Sequence, residues 1–178
     1  ETILLNASAA GYYGDSGDVM QYETSPSGDD FLATVCRDWE NEALQAKKKG
    51  ARVATMRFGV VLGKGGGAIE TMKTPFKLGM GGPIGNGEQW FPWIHLDDLV
   101  SAILLLMNGS DLQGAFNFTA PGQVRQKEFA KKLAKALNRP AFMPAPSFIM
   151  KTVLGEFGNS LLLGQKVSPK ALQENGFV

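Results

Sequence analysis

Two apolar runs of strand length, TILLNAS at residues 2–8 and ARVATMRFGVVLG at residues 51–63, flank a stretch of helical periodicity at about residues 29–49. A strand, a helix of that length and a second strand make a right-handed βαβ unit with a parallel pair, since a crossover that long is not a hairpin. Runs without polar alternation belong in a sheet covered on both faces, so the fold class is α/β with a parallel sheet. The alternation continues with a helix over 68–78, a short strand at 94–96, an apolar helix over 98–107, a strand over 115–119 and an amphipathic helix over 126–137. The first helix carries Phe31, Val35, Trp39 and Ala43 at helical spacing, flanked by Leu32, Cys36 and Leu44, as its expected inward stripe. Ser27 and Asp30 have the spacing of a capping box, and Lys47–Lys49 with Gly50 suit its end. The helix over 98–107 is apolar nearly all round and is expected to be buried, with Asp97 as its cap.

The densest functional signal is GGPIGNGEQWFPWIHLDD, residues 81–98, which holds two of the three tryptophans and the only histidine. Glycine permits close backbone approach and aromatics supply rigid walls, so residues 81–93 read as a shaped loop lining a pocket. Ser8 ends the first strand, the end at which open α/β sheets take ligands; the alternative is a serine satisfying a turn. Residues 15–30 read as a surface loop. GKGGG at 63–67 precedes a helix, as an anion-binding loop does, but lacks the Walker spacing and also fits a flexible turn. His95, flanked by apolar residues, reads as a hydrogen-bonded structural group, and Cys36 as a structural thiol.

Eighteen basic and seventeen acidic residues leave a charge of +1, which favours neither nucleic acid nor an anionic membrane as partner. One cysteine and one histidine provide no metal-ligand cluster, and no apolar run approaches the ~20 residues that span a bilayer. A reducing, cytoplasmic setting fits this composition. The chain opens at Glu1 and goes directly into a buried-type strand, and it ends at Val178 without a polar tail; both suggest the later part of a longer protein. From Arg139 onward the pattern turns proline-punctuated, with a helix expected around 148–154 and an apolar stretch at 161–163. The division expected is therefore a sheet domain over 1–138 and a small appended lobe over 139–178.

The motifs ASAAGYYGD (7–15), CRDWENEA (36–43), RFGVVLGKGGGA (57–68), GGPIGNGEQWFPWIHLDDL (81–99), FNFTAP (116–121) and GQKVSPKALQENGF (164–177), in that order, resemble extended short-chain dehydrogenases. These form the NAD-dependent epimerase/dehydratase superfamily, and the likeness is closest to its atypical epimerase-like branch, labelled as cell-division-inhibitor (SulA-type) homologues. The resemblance implies the C-terminal part of a Rossmann-type sheet with a substrate lobe, and NAD or NADP as cofactor. The Gly-rich dinucleotide turn of the first half is absent from these residues.

By the same resemblance Ser8 takes the position of the catalytic serine and also touches the cofactor. With Glu40 as anchor, the usual tyrosine and lysine fall on Leu32 and Cys36, so that pair is missing, and Tyr12 and Tyr13 are the phenols that stand in as catalytic candidates. Gly59, Val60 and Val61 would face the nicotinamide, and Gly82, Pro83, Gly85, Trp90, Phe91 and Trp93 would wall the substrate side. The implied partners are a small molecule such as a nucleotide sugar and, as assembly, a homodimer. The implied activity is that of a nucleotide-sugar epimerase/dehydratase-like oxidoreductase. The alternative is a non-catalytic dinucleotide-binding protein that acts through protein interaction.

Overall fold

The parallel pair is present and extended by one strand. A computed structural model describes residues 2–140 and 163–177. Strands β1 (Ile3–Ala9), β3 (Arg52–Phe58) and β6 (Gly114–Phe118) form a parallel sheet in the order β1-β3-β6. The loop expected over 15–30 contains a short strand, β2 (Met20–Gln21), paired in parallel with β7 (Lys166–Val167). The second apolar run is split at Gly59, after which β4 (Val60–Leu62) leaves the main sheet and pairs with β5 (Trp93–His95). Gly59 is required at the break, because a Cβ there would stand 2.8 Å from the Pro92 carbonyl.

Helix α1 (Phe31–Leu44) covers one face of the sheet, and its last residues tighten into a 3-10 turn that ends at left-handed Gly50. Its inward stripe differs from the expected one. Ala33, Cys36, Glu40 and Ala43 are buried, while Phe31 and Trp39 stand 65% and 56% exposed. Small side chains at Ala33 and Ala43 let the helix approach the strands closely, which bulky Phe31 and Trp39 would prevent. The cap is Asp30 rather than Ser27: the Asp30 carboxylate accepts from the Ala33 amide at 2.8 Å.

Helix α3 (Leu96–Asn108) covers the opposite face, where Ala102 and Leu106 pack with Ala54, Met56, Ile94, Phe116 and Phe118. Full burial of side chains such as Phe118, Ile94 and Leu106 contributes roughly 1.5–3 kcal/mol each. The helix is not buried all round, since Leu96, Val100, Leu104 and Met107 form an outer, exposed stripe. Its cap is His95, whose Nδ1 accepts from the Asp97 amide, so Asp97 lies inside the first turn.

The remaining helices are α2 (Gly67–Lys77), α4 (Gln126–Ala136) and α5 (Lys170–Glu174). The GKGGG stretch forms the turn into α2, with Gly65 and Gly67 left-handed. Of the segment assigned to the appended lobe, residues 163–177 lie against the sheet: Leu172 is in the main core and Val167 packs with Ala10 and Tyr13. The helix expected around 148–154 and most of 161–163 lie outside the described residues. Among the described residues, no helix is long and apolar enough to cross a membrane, and no group of three or more metal-ligating side chains gathers.

Candidate functional site

Parallel register brings Ser8, Arg57 and Asn117 into one row across the carboxyl ends of β1, β3 and β6. Successive side chains of a strand point to opposite faces. Because Ala54, Met56 and Phe58 pack toward α3, Arg57 points toward α1. There it meets Glu40: Arg57 Nε donates to Oε1 at 2.9 Å and Nη2 to Oε2 at 2.8 Å. Ser8 Oγ donates to the same Oε1 at 2.7 Å. Arg57 Nη1 donates to the Tyr13 hydroxyl at 2.9 Å and to the Glu23 carbonyl at 3.1 Å. Tyr13 in turn donates to Asn117 Oδ1 at 2.6 Å, and Asn117 Nδ2 donates to the Ser168 carbonyl at 2.9 Å.

Burial works against the charge on Arg57, but the Glu40 carboxylate and the Tyr13 hydroxyl outweigh it and hold its pKa above the ordinary arginine value. Burial pushes the Tyr13 phenol up to about 12 against the opposing pull of Arg57, so it is protonated at neutral pH. Burial also raises the Cys36 thiol, which suits a structural cysteine. Tyr12 lies edge-on to Tyr13, and the Arg57 guanidinium sits 3.5 Å above its ring. Thr119 Oγ1, just past β6, is buried without a partner among the described residues.

Beyond these strand ends the shaped loop runs beside residues 120–126. Phe91 N donates to the Val124 carbonyl, Ala120 N to that of Trp93, and Gln126 N to that of Gln89. A narrow crevice of ≈ 10 Å³ opens between Trp90, Phe91, Trp93, Gln123, Gln165 and Val167. Gly164 permits this closure, since a Cβ on it would meet the Trp90 amide at 2.3 Å. Trp90 Nε1 donates to Asp18 at 2.8 Å, and the Arg125 guanidinium and the Lys166 ammonium lie 4.0 Å and 4.7 Å from its ring centroid. A second hollow, bordered by Lys47, Arg52 and Asp111, lies at the amino ends of β3 and β6, the end of a parallel sheet that ligands seldom use.

The sequence profile described as "NAD dependent epimerase/dehydratase family" matches residues 2–118, about two thirds of the chain. The chain belongs to that family. A domain of unknown function, DUF1731, matches residues 145–178. An Arabidopsis thaliana protein called "Epimerase family protein SDR39U1 homolog, chloroplastic" is 48% identical over 176 residues, which cover 99% of this chain and 50% of that protein. An epimerase family protein of Staphylococcus aureus is 43% identical, with coverage of 98% and 59%. The crystal structure of human epimerase family protein SDR39U1 (isoform 2) with NADPH superposes with a TM-score of 0.89 at 37% identity, covering 98% of this chain and 59% of that one. A nucleoside-diphosphate sugar epimerase from Corynebacterium glutamicum gives 0.80 at 35%, covering 99% and 34%. The chain thus spans about half the length of the curated relatives it matches. Neither the cell-division label nor a cytoplasmic location draws support from these names.

Within this epimerase-family chain, the expected site residues separate into four places. Trp90, Phe91 and Trp93 line the crevice. Gly82, Pro83 and Gly85 belong instead to a turn seated on the start of α4, where Gln126 Oε1 accepts from the Ile84 amide and Gly87 sits tightly against Pro83 and Lys127. Ser8 and Tyr13 are held in the Arg57 network. The Gly59 amide donates to the Phe118 carbonyl and the Val60 amide to that of Pro92, while Val61 packs against the core. Sequence reading missed Glu40, Arg57, Asn117, Arg125 and Lys166. An arginine at the end of an otherwise apolar strand, with a glutamate on the covering helix, was the available signal for the first two.

Proposed function

We propose that the protein is an NAD(P)-dependent oxidoreductase of the epimerase/dehydratase type, and that this chain supplies the seat for a nucleotide-linked sugar at Trp90 and Trp93. The observation that carries this reading is the aromatic crevice beyond the carboxyl ends of parallel strands, where α/β sheets take ligands. The names of the human protein with NADPH and of the Corynebacterium sugar epimerase support it.

The dinucleotide supplies hydride transfer when bound. The amides of Gly59 and Val60 donate to the Phe118 and Pro92 carbonyls, so contact of Gly59, Val60 and Val61 with a nicotinamide would run through other groups of this segment. Ser8 and Tyr13 act as positioning residues through Glu40, Arg57 and Asn117. The Tyr12 ring, laid flat under the Arg57 guanidinium, presents the phenol we propose for proton transfer.

A second reading, dinucleotide binding without turnover, is favoured by Leu32 and Cys36 at the usual tyrosine and lysine positions. The test is a nucleotide-sugar panel on the full-length protein, with nicotinamide absorbance for turnover and calorimetry for binding. Saturable sugar-nucleotide binding with turnover, weakened about three- to tenfold by Trp93→Ala, is expected, the factor of one lost aromatic stack. Dinucleotide binding with no turnover across the panel would support the second reading, and absence of all binding would remove both.

A further inference from the structure

Two N–H donors from separate segments converge on a single carboxylate oxygen at the edge of the crevice. Trp90 Nε1 reaches Asp18 Oδ1 at 2.8 Å, and Arg125 Nη2 reaches the same atom at 2.6 Å. Lys166 also lies over the Trp90 ring, so two cations and one indole N–H gather near one acceptor. The arrangement is built rather than incidental. Arg125 is fixed by its backbone bridge to Trp90 and by donation to the Glu88 carbonyl. Trp90 is fixed by its neighbours in the crevice and by the close passage of Gly164.

Asp18 is the least anchored member. Its side chain is 74% exposed, it follows left-handed Gly17, and its neighbour Val19 is 67% exposed, so little apolar contact holds this loop down. Lys127 is matched by Glu88 and Arg125 by Asp18, while Glu128 accepts from the Arg125 backbone amide. The two convergent donors and the nearby Lys166 suit a group with more acceptor oxygens than one carboxylate offers.

We propose that Asp18 occupies, with its own carboxylate, an anion cradle formed by Trp90, Arg125 and Lys166, and that a phosphate or pyrophosphate group displaces it on binding. Arginine and an indole N–H provide directional donors, and the lysine a point charge. Asp18 has its pKa lowered by the Trp90 and Arg125 hydrogen bonds, with Lys166 adding to them, so it is ionised and competes fully at neutral pH. The proposal deepens the crevice reading above by naming the anionic part of the ligand and the loop that must yield to it.

The test uses the full chain and inorganic pyrophosphate, which carries neither sugar nor base. The Trp90 indole N–H resonance, assigned through Trp90→Phe, reports the cradle directly. Pyrophosphate is expected to shift this resonance saturably. Asp18→Asn should tighten the affinity about two- to fivefold, the range of an exposed ion pair. Arg125→Gln should weaken it about tenfold or more. Asp29→Asn, which removes another exposed carboxylate of the same loop, should leave it unchanged.

An unchanged or weaker affinity in Asp18→Asn would overturn the proposal, as would an equal gain in Asp29→Asn, which would reduce the effect to net charge. A folded Arg125→Gln, verified by thermal melting, that binds as well as the parent would also overturn it. Cradle behaviour as described without sugar-nucleotide turnover would leave this proposal standing and remove the functional one. Turnover with an indifferent Asp18→Asn would do the reverse.

Discussion

The Glu40 carboxylate and the Arg57 guanidinium meet side by side through two hydrogen bonds, Nε to Oε1 and Nη2 to Oε2, with side chains only 8% and 4% exposed. Removing one partner of such a pair strands the other charge in a desolvated site, which costs about 3–5 kcal/mol. Glu40→Gln should therefore lower the unfolding free energy by about that amount, measured by urea denaturation. The paired Glu40→Leu/Arg57→Met variant should be less destabilised than the sum of its single changes. An additive result would mean that the two groups do not depend on one another.

Tyr13 sets a limit at alkaline pH. Its folded-state pKa of about 12 lies above the ordinary value of 10.0, so the folded state holds its proton more tightly than the unfolded state does. The stability this contributes is fully present below pH ~10 and is lost as pH rises through about 12. Ultraviolet titration of tyrosinate should show one late-titrating phenol that disappears in Tyr13→Phe. The same variant leaves Asn117 without its donor and should cost about 1–3 kcal/mol. Identical titration curves for parent and variant would contradict the network.

Gly59 offers a steric test. Substitution by alanine would place a methyl group 2.8 Å from the Pro92 carbonyl carbon and oxygen and 2.9 Å from the Trp93 amide. Relief of that overlap moves the crevice wall, so Gly59→Ala should lose about 1–3 kcal/mol of stability and perturb the Trp93 indole resonance. Gly66→Ala, where no atom lies within 4 Å, serves as the control.

The cap of α1 gives the simplest discrimination. Asp30→Ala removes the acceptor for the Ala33 amide and should cost about 1 kcal/mol, whereas Ser27→Ala should change stability little. Equal losses would restore Ser27 as a capping residue.

The elements were legible because hydrophobic period and length are local properties: β1, β6 and α4 lie within a residue or two of where their patterns put them, whereas β3 starts as expected but stops at Phe58. What escaped was decided by neighbours distant in sequence. The burial of Glu40 in preference to Trp39 follows from the Arg57 opposite, and nothing within α1 announces it. The row of Ser8, Arg57 and Asn117 depends on register, which no single strand encodes. The crevice was legible through its tryptophans, but Arg125, Lys166 and Asp18 came from three otherwise ordinary polar stretches.

The Glu23 carboxylate accepts from the Asn117 amide and, across 148 positions of sequence, from the Ala171 amide. Contacts of such separation form late, because the whole intervening chain must first be gathered in. A ribosome making this protein therefore emits the sheet and the tryptophan loop well before the residues that fasten them. Until Val167–Leu172 emerge, Asn117 lacks an acceptor for its side-chain amide and Tyr13 stays uncovered, so a nascent chain halted before Val167 should be one that chaperones retain rather than release.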